Sequence, residues 1–486
     1  MDLLDPLDSL MLTAELLSSP MHVAALLVLR PPAGLDADAT AGYVTGIYEQ
    51  TLAAVVEVDP RLRRVPYRGI DTGFMWAWRD VAACDGSARL DIRHHFQRRT
   101  VAPGVGDDTA DETLWRLVSE LHALRMDRSE PLWMAYLIDG LPGGRFAFYI
   151  KVHHIVVDGV AGLQMIAGSL STDPDRRAMA PFYAAKAPKP RPPSGDSGAA
   201  SGIRPPGLLS ALRRIAQTAS AGLGLSAEVI RTQISTAVGS LVDKTIVVPF
   251  SAPPTRFNTR LGGHRAVAGT TLQRRRIQAV QQAAGVTAND VVMTVISGAL
   301  RSWLVQHGEL PQRSLVAICP VTVRDRDNAA ADSHGNQFGL GLCTLGTDLD
   351  DPAERLHLVS AAMSGVKNRV ADHGPGVMLV LLGPAIGPTV LLPLLPFATG
   401  IPPSFNIPIS SVPGPREPRY FNGALVEEIY PVSTVYDGMA LNVTVCSYAD
   451  TISVGYVADR DVVSDIQTLV PLTARALSDL ETAVGL

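Results

Sequence analysis

RFAFYIKVHHIVVDG, residues 145–159, carries a reading of the fold and a reading of the chemistry together. From Arg145 to His154 the side chains alternate with a period of two. Phe146, Phe148, Ile150, Val152 and His154 fall on one face of an extended strand, and Ala147, Tyr149, Lys151 and His153 on the other. A strand that ends in two histidines turns one imidazole to each side, so only one of them faces a given cleft. His154 follows the large apolar side chains, which would surround and desolvate it. An imidazole with an ordinary pKa of about 6.5 is mostly neutral at pH 7 and accepts a proton; desolvation lowers that value and keeps the ring a base. Asp158 stands where the chain turns, placed to pair with a cation or to cap the helix that follows. Gly159 leaves room for a substrate or permits an unusual backbone angle.

The flanking sequence supplies partners for this strand. Leu141-Pro142-Gly143-Gly144 is a turn, and Pro131-Leu132-Trp133 leads into a second strand, Met134 to Ile138. Leu114, Leu117, Leu121 and Leu124 recur at helical spacing within Thr109 to Asp127, with Thr109 and Glu112 as a capping box. A helix is expected from Gly159 to about Leu170. Further along, Thr287 and Asp290 cap a helix over Val291 to Val305, and Ser314 to Val323 is strand-like. Leu441 to Ser447 and Ile452 to Val457 form a hairpin around Ala449 and Asp450, and Asp461 to Val484 closes as a helix. Strands and helices mix throughout, so the fold class is α/β or α+β.

At 486 residues the chain exceeds one ordinary core. Between Lys186 and Pro206 prolines, glycines and serines replace large apolar residues, which reads as a linker or crossover. The expected organisation is an N-terminal lobe over 1–185, a linker region over 186–255 and a C-terminal lobe over 256–486. A net charge of −5 and the lack of a long Lys/Arg run give no footing for nucleic acid; Arg61, Arg63, Arg64 and Arg274 to Arg276 read as solvated faces. Cys84, Cys319, Cys343 and Cys446 form no CxxC pair, so no zinc site or disulfide scaffold is signalled. Adjacent histidines on a strand point apart, and no third ligand at metal spacing supports them, so no metal is expected. The start, with Asp2 and Asp5, lacks the basic and apolar segments of a secretory signal. No GxSxG elbow, GxGxxG or GxxxxGK[ST] loop occurs. His94-His95 has no following Asp-Gly and is read as surface.

No charged side chain occurs between His373 and Arg416, yet Pro375, Pro384, Pro388, Pro393, Pro396, Pro402 and Pro403 interrupt the stretch. Each interior proline costs a helix about 3 kcal/mol. A spanning helix is not expected. Two readings stand, buried core with irregular helices or a greasy surface that touches lipid.

The pattern His153-His154-x-x-x-Asp158-Gly159 resembles the active-site motif of the chloramphenicol-acetyltransferase-like superfamily. Further segments are similar to those of the bacterial wax ester synthase/acyl-CoA:diacylglycerol acyltransferase family: Pro6-Leu7-Asp8-Ser9-Leu10, Pro20-Met21-His22-Val23, Pro131-Leu132-Trp133, Asn289-Asp290, Gly335-Asn336, Asp437-Gly438, Leu441-Asn442 and Ala458-Asp459-Arg460-Asp461. They span nearly the whole chain in the family's order. One departure is Ser410-Ser411-Val412-Pro413-Gly414-Pro415, where the family usually has Asn in place of Ser411, so a hydroxyl donor replaces an amide donor.

The resemblance implies two chloramphenicol-acetyltransferase-like lobes, each a mixed β-sheet with helices, around a central tunnel. It implies acyl-CoA as co-substrate with no resident cofactor, and diacylglycerol or a long-chain alcohol as acceptor, giving triacylglycerol or wax ester. His154 is the general base, His153 and Asp158 complete the motif, and Asp158 is structural. Gly159, Asn289, Asp290, Ser410, Ser411 and Asn442 are candidate substrate contacts, with Ser410, Ser411 and Asn442 as oxyanion donors; Asn289 and Asp290 also read as a helix cap. The expected place is the cytoplasm, at the periphery of the inner membrane or of lipid inclusions. Two alternatives are an acyltransferase of the same superfamily acting on another lipid or carrier-bound acceptor, and a catalytically silent lipid-binding homologue.

Overall fold

The computed structural model describes residues 2–17, 19–81, 90–101, 110–185, 245–322, 338–370 and 402–486. Most of the expected linker, 186–244, lies outside them, as do Thr109, Gly335-Asn336 and the 374–401 part of the uncharged stretch.

The strand read from residues 145–154 forms as β7 (Phe146–His153) and is buried on both faces. Its neighbours explain why. A six-stranded sheet runs in the order β12 (Tyr420–Phe421), β13 (Ala424–Val432), β2 (His22–Arg30), β7, β6 (Trp133–Asp139), β5 (Phe96–Thr100). Phe146, Phe148, Ile150 and Val152 face one cluster with Phe96, Trp133 and Phe421. Ala147 and Tyr149 face another with Leu26, Val28 and Trp115. A strand covered on both sides carries a near-continuous apolar run, as HVAALLVLR of β2 also does.

The second six-stranded sheet runs β10 (Phe338–Thr344), β9 (Val316–Thr322), β11 (Ile407–Pro413), β14 (Leu441–Tyr448), β15 (Thr451–Asp459), β8 (Arg265–Gln273). Its β9, β11 and β14 are parallel and the other pairs antiparallel. Helix Ala288–Gln306 fills its core together with residues of 352–370 and of helix Leu469–Ala483. A small third sheet, β1 (Asp2–Leu3), β4 (Ala77–Asp80) and β3 (Arg64–Tyr67), packs through Trp76 and Trp78 against Leu12 and Ile155.

The two halves are not closed units in sequence. β12 and β13 follow β11 in the chain but complete the first sheet, with β13 antiparallel to β2 from Leu425↔Arg30 to Val432↔Ala24. The C-terminal lobe expected over 256–486 therefore lends residues 420–432 to its partner. Two glycines make the crossing possible. Gly269 and Gly455 are cross-strand partners on β8 and β15. A Cβ on Gly455 would sit 1.9 Å from the Pro431 carbonyl oxygen, and one on Gly269 2.5 Å from Trp115. Trp115 and β13 thus nest on bare backbone of the second sheet.

Where it is described, the uncharged stretch is core over 404–407 and at Ile409, while Pro402, Ser411 and Pro413 are exposed. The last helix begins at Leu469 rather than at Asp461. Asp459 holds 461–463 in a turn, its main-chain oxygen accepting from Val462 and Val463 and its carboxylate from Asp461. His95, read as surface, is buried: its ring stacks on Trp133 at 4.5 Å and its Nδ1 lies 2.8 Å from the Trp133 carbonyl. Among the described residues no single helix is long and apolar enough to cross a membrane.

Candidate active site

β7 stops at His153, and the chain turns through His154 before Asp158 opens α5 (Gly159–Ala167). The His154 amide donates to Met21 at 2.8 Å and the Val156 amide to His153 at 2.9 Å, which fixes the turn. The His154 ring is half-buried and hydrogen-bonds its own main-chain carbonyl. Nδ1 is the nitrogen within reach of that oxygen, so the proton sits on Nδ1 and Nε2 is left as an acceptor. Burial lowers its pKa below 6.5, with the opposing carbonyl contact a smaller effect, so the ring is a neutral base at pH 7.

His153 is occupied on both nitrogens. Its Nδ1 accepts from the Ile155 amide at 3.3 Å, which places the proton on Nε2, 3.4 Å from Glu15 Oε2. Burial pushes the Glu15 carboxyl up, but hydrogen bonds from His153, Arg128 at 2.5 Å and the Met21 amide outweigh it and hold it at about 2. Glu15 was not among the expected site residues. The available signal was a lone carboxylate on the apolar stretch LMLTAELL just ahead of Pro20-Met21-His22. Leu132 of the PLW segment accepts from the His153 amide at 2.9 Å, and Trp133 is core, its Nε1 donating to Leu62.

A second layer of buried imidazoles lies along β2 and β7. His22 faces His153 across the strand pair, and its Nε2 lies 2.7 Å from the His122 carbonyl. His122 Nδ1 lies 2.8 Å from the Tyr149 hydroxyl. Burial drives His22 well below 6.5, His95 to about 4 and His122 to about 3. The unfolded chain takes up these protons once the pH falls below about 6.5, whereas the folded chain holds them off until well below that. The contribution of these histidines to stability should therefore be full above pH 6.5 and decline steadily as the pH falls toward 4. Urea unfolding at pH 7.5, 6 and 5 checks this, and a midpoint that does not move would refute it.

Asp158 is exposed and caps α5, its Oδ1 accepting from the Ala161 amide at 2.7 Å. Of the two roles open to it, the structure has the cap. Asp158→Ala should cost about 1 kcal/mol of stability, and Asp158→Asn, also a good cap, should recover most of it. Equal loss in the two variants would exclude capping as the role. Gly159 has no left-handed backbone, and a Cβ there would meet Val412 at 3.9 Å, so it supplies room rather than an unusual angle.

Across the seam, β11 faces α5. A small cavity of about 30 Å³ at β11 brings together Asn289, Ser410 and Ser411 with Met293, Cys319, Met363 and Val445. It lies one residue along β11 from Val412, which touches the Gly159 position. Asp290 does not line this cavity; it is buried in a reciprocal cap with Thr287 (3.0 and 3.3 Å) and accepts from Ser360. Ser410 joins a hydrogen-bonded chain. The Thr444 hydroxyl donates to Asn442 Oδ1 at 3.0 Å, so its oxygen accepts from Ser410 Oγ at 3.0 Å. That points the Ser410 proton into the sheet. It leaves the Asn442 amide nitrogen and the exposed Ser411 hydroxyl as the donors without a protein partner among the described residues. Thr444 also went unread, although it is two residues from Asn442 on the same strand face. Among the described residues no group of three or more His, Cys, Asp or Glu side chains converges as metal ligands would.

Two mixed six-stranded sheets, one of them completed across the seam by β13, make a two-lobed fold. The first condensation domain of the calcium-dependent antibiotic synthetase shares it over 100% of this chain and 96% of its own (TM-score 0.53, 18% identity). The chain belongs to the wax ester synthase/diacylglycerol acyltransferase family: the family's catalytic domain matches residues 4–292 and its C-terminal domain residues 334–481. A probable diacylglycerol O-acyltransferase of Mycobacterium tuberculosis H37Rv is 36% identical over the full length of both chains. A putative one of the same strain is 38% identical over 99% of this chain and 100% of its own. The wax ester synthase/diacylglycerol acyltransferase from Marinobacter aquaeolei VT8 superposes over 100% of both chains, with 29% identity and a TM-score of 0.72.

Proposed function

We propose that this protein transfers a long-chain acyl group from acyl-CoA to the free hydroxyl of diacylglycerol, giving triacylglycerol and coenzyme A, with long-chain alcohols as a second acceptor class giving wax esters. The observation that carries the reading is His154, whose ring is tied to its own carbonyl by one nitrogen and has no partner for the other among the described residues, in a chain of this family. Nε2 takes the proton of the acceptor hydroxyl as its oxygen attacks the thioester carbonyl. The C–O bond forms, charge collects on the former carbonyl oxygen, and the Asn442 amide and Ser411 hydroxyl, without partners among the described residues, are donors for it. Collapse breaks the C–S bond, and the imidazolium returns its proton to the departing thiolate. Every step is a proton transfer or an acyl shift, so no covalent acyl-enzyme and no resident cofactor is required.

Because the acceptor and product dissolve in lipid rather than water, the reading has the enzyme work at the periphery of the membrane or of a lipid inclusion, on the cytoplasmic side, with no part for nucleic acid. The test is release of free thiol from long-chain acyl-CoA on adding dioleoylglycerol or hexadecanol, with the neutral lipid separated by chromatography. Thiol release without ester formation would reduce the chain to a thioesterase and overturn the reading.

A further inference from the structure

The small sheet carries a hairpin tip whose apolar side chains point outward. Between β3 and β4, Ile70, Phe74 and Met75 are 87%, 69% and 55% exposed. This exposure is built in. Thr72 is buried at the centre of the loop, its hydroxyl bonded to both the amide and the carbonyl of Gly69 at 3.0 Å. The amides of Gly73, Phe74 and Met75 donate back to Ile70, Gly69 and Thr72. Phe74 has φ +61°, a left-handed conformation that bulky residues rarely adopt. A tip locked by this many bonds cannot turn its apolar side chains inward.

The tip stands beside the reaction site. Trp76 and Trp78, at its base, pack in one cluster with Leu132, Ile155 and Val156 of the histidine turn. Its collar carries both signs of charge. Arg63 is paired with Asp80 and Glu57, and Arg64 with Asp2, while Asp71 accepts from the Tyr67 hydroxyl. Arg68 and Arg79 are exposed and lie over the rings of Trp76 (5.0 Å) and Tyr67 (3.8 Å), with no carboxylate partner among the described residues.

We propose that this hairpin is where the protein enters a phospholipid surface: Ile70, Phe74 and Met75 insert at the boundary between headgroups and acyl chains, and Arg68 and Arg79 meet the phosphates. Three side chains are far short of the roughly 800 Å² per partner that a stable protein–protein interface buries, whereas partition into an interface grows with each apolar side chain and has no such threshold. Aromatic rings carrying guanidinium groups suit the headgroup layer, where one end is apolar and the other wet. The idea rests on the reading of diacylglycerol as acceptor, because a lipid-dissolved acceptor must be collected from a lipid phase next to His154.

The test separates docking from chemistry. Docking is read by flotation with phosphatidylcholine vesicles that contain no diacylglycerol. Chemistry is read by thiol release with dioctanoylglycerol dispersed without vesicles. The combined variant Ile70→Ser, Phe74→Ser, Met75→Ser should float about 100-fold less than the wild type and keep wild-type turnover of the dispersed acceptor. Val305→Ser, 53% exposed on the other lobe, should leave flotation unchanged. Near-UV circular dichroism confirms that the triple variant is folded. Wild-type protein that stays in the soluble fraction, or a triple variant that floats as the wild type does, would overturn the proposal. So would sedimentation showing a wild-type dimer that the triple variant abolishes, which would assign the face to a second copy. A wild type that floats but turns over no diacylglycerol would leave docking standing and refute only the acceptor.

Discussion

His154→Ala is expected to lower kcat/KM by about 10²- to 10⁴-fold, the usual worth of a positioned general base, with no loss of the folded state. The ring is half-buried at the end of β7 and its Nε2 has no partner among the described residues, so its removal breaks no hydrogen bond there apart from one to its own carbonyl. His153→Ala should behave in the opposite way. That ring is fully engaged between Glu15 and the Ile155 amide, so its loss should destabilise the turn more than it slows a correctly folded molecule. The pH profile gives an independent check. Because burial depresses the His154 pKa, the acid limb of kcat/KM should have its midpoint below 6.5 and vanish in His154→Ala. Equal residual activity in the two folded variants, or an acid limb centred above 6.5, would remove His154 from the role of base.

The largest effect on stability is expected at Asp459. Arg265 and Asp459 are directly opposed on β8 and β15, 3.0 Å apart, with the carboxylate fully buried. Asp459 also accepts from the Gly262 and Asp461 amides, and Arg265 reaches across the seam to Ser19 at 2.7 Å. Asp459→Ala strands a buried guanidinium and two amides at once. Breaking a pair of this kind typically costs about 3–5 kcal/mol. Replacement of both residues by apolar ones should cost less than the single change, since the penalty lies in the unpaired charge. Chemical denaturation of the two variants decides this; a single variant that loses less than the double would show that the pair is not what holds the corner.

Local pattern made the motif legible and left its supports hidden. Alternation over 145–154 identified β7, the hairpin at 441–457 formed in the expected register around Ala449 and Asp450, and the Thr287–Asp290 cap formed as read. These are contacts between near neighbours in sequence. The residues that discipline the site come from elsewhere. Glu15 reaches His153 across 138 positions, and β13 meets β2 across nearly four hundred. No periodicity announces such pairings. His95 was missed because its neighbours are charged, although a single helical turn swings its ring under Trp133. Asn289 and Asp290, adjacent in sequence, part company because a helix start turns one side chain to the cavity and the other into the cap.

The strand exchange also dictates a timetable during synthesis. β2, β7 and β6 leave the ribosome early, yet the edge of β2 stays unpaired until β13, beginning at Ala424, has been made. From His153 to Ala424 is 424 − 153 = 271 residues. At about 5–20 residues per second the nascent chain must wait on the order of 15 to 55 seconds. Throughout that interval an apolar strand, Ala24 to Leu29, offers its bare backbone to any passing chain. A nascent chain arrested before residue 424 should therefore be a client for chaperones, and the two halves made as separate polypeptides should be soluble only when produced together.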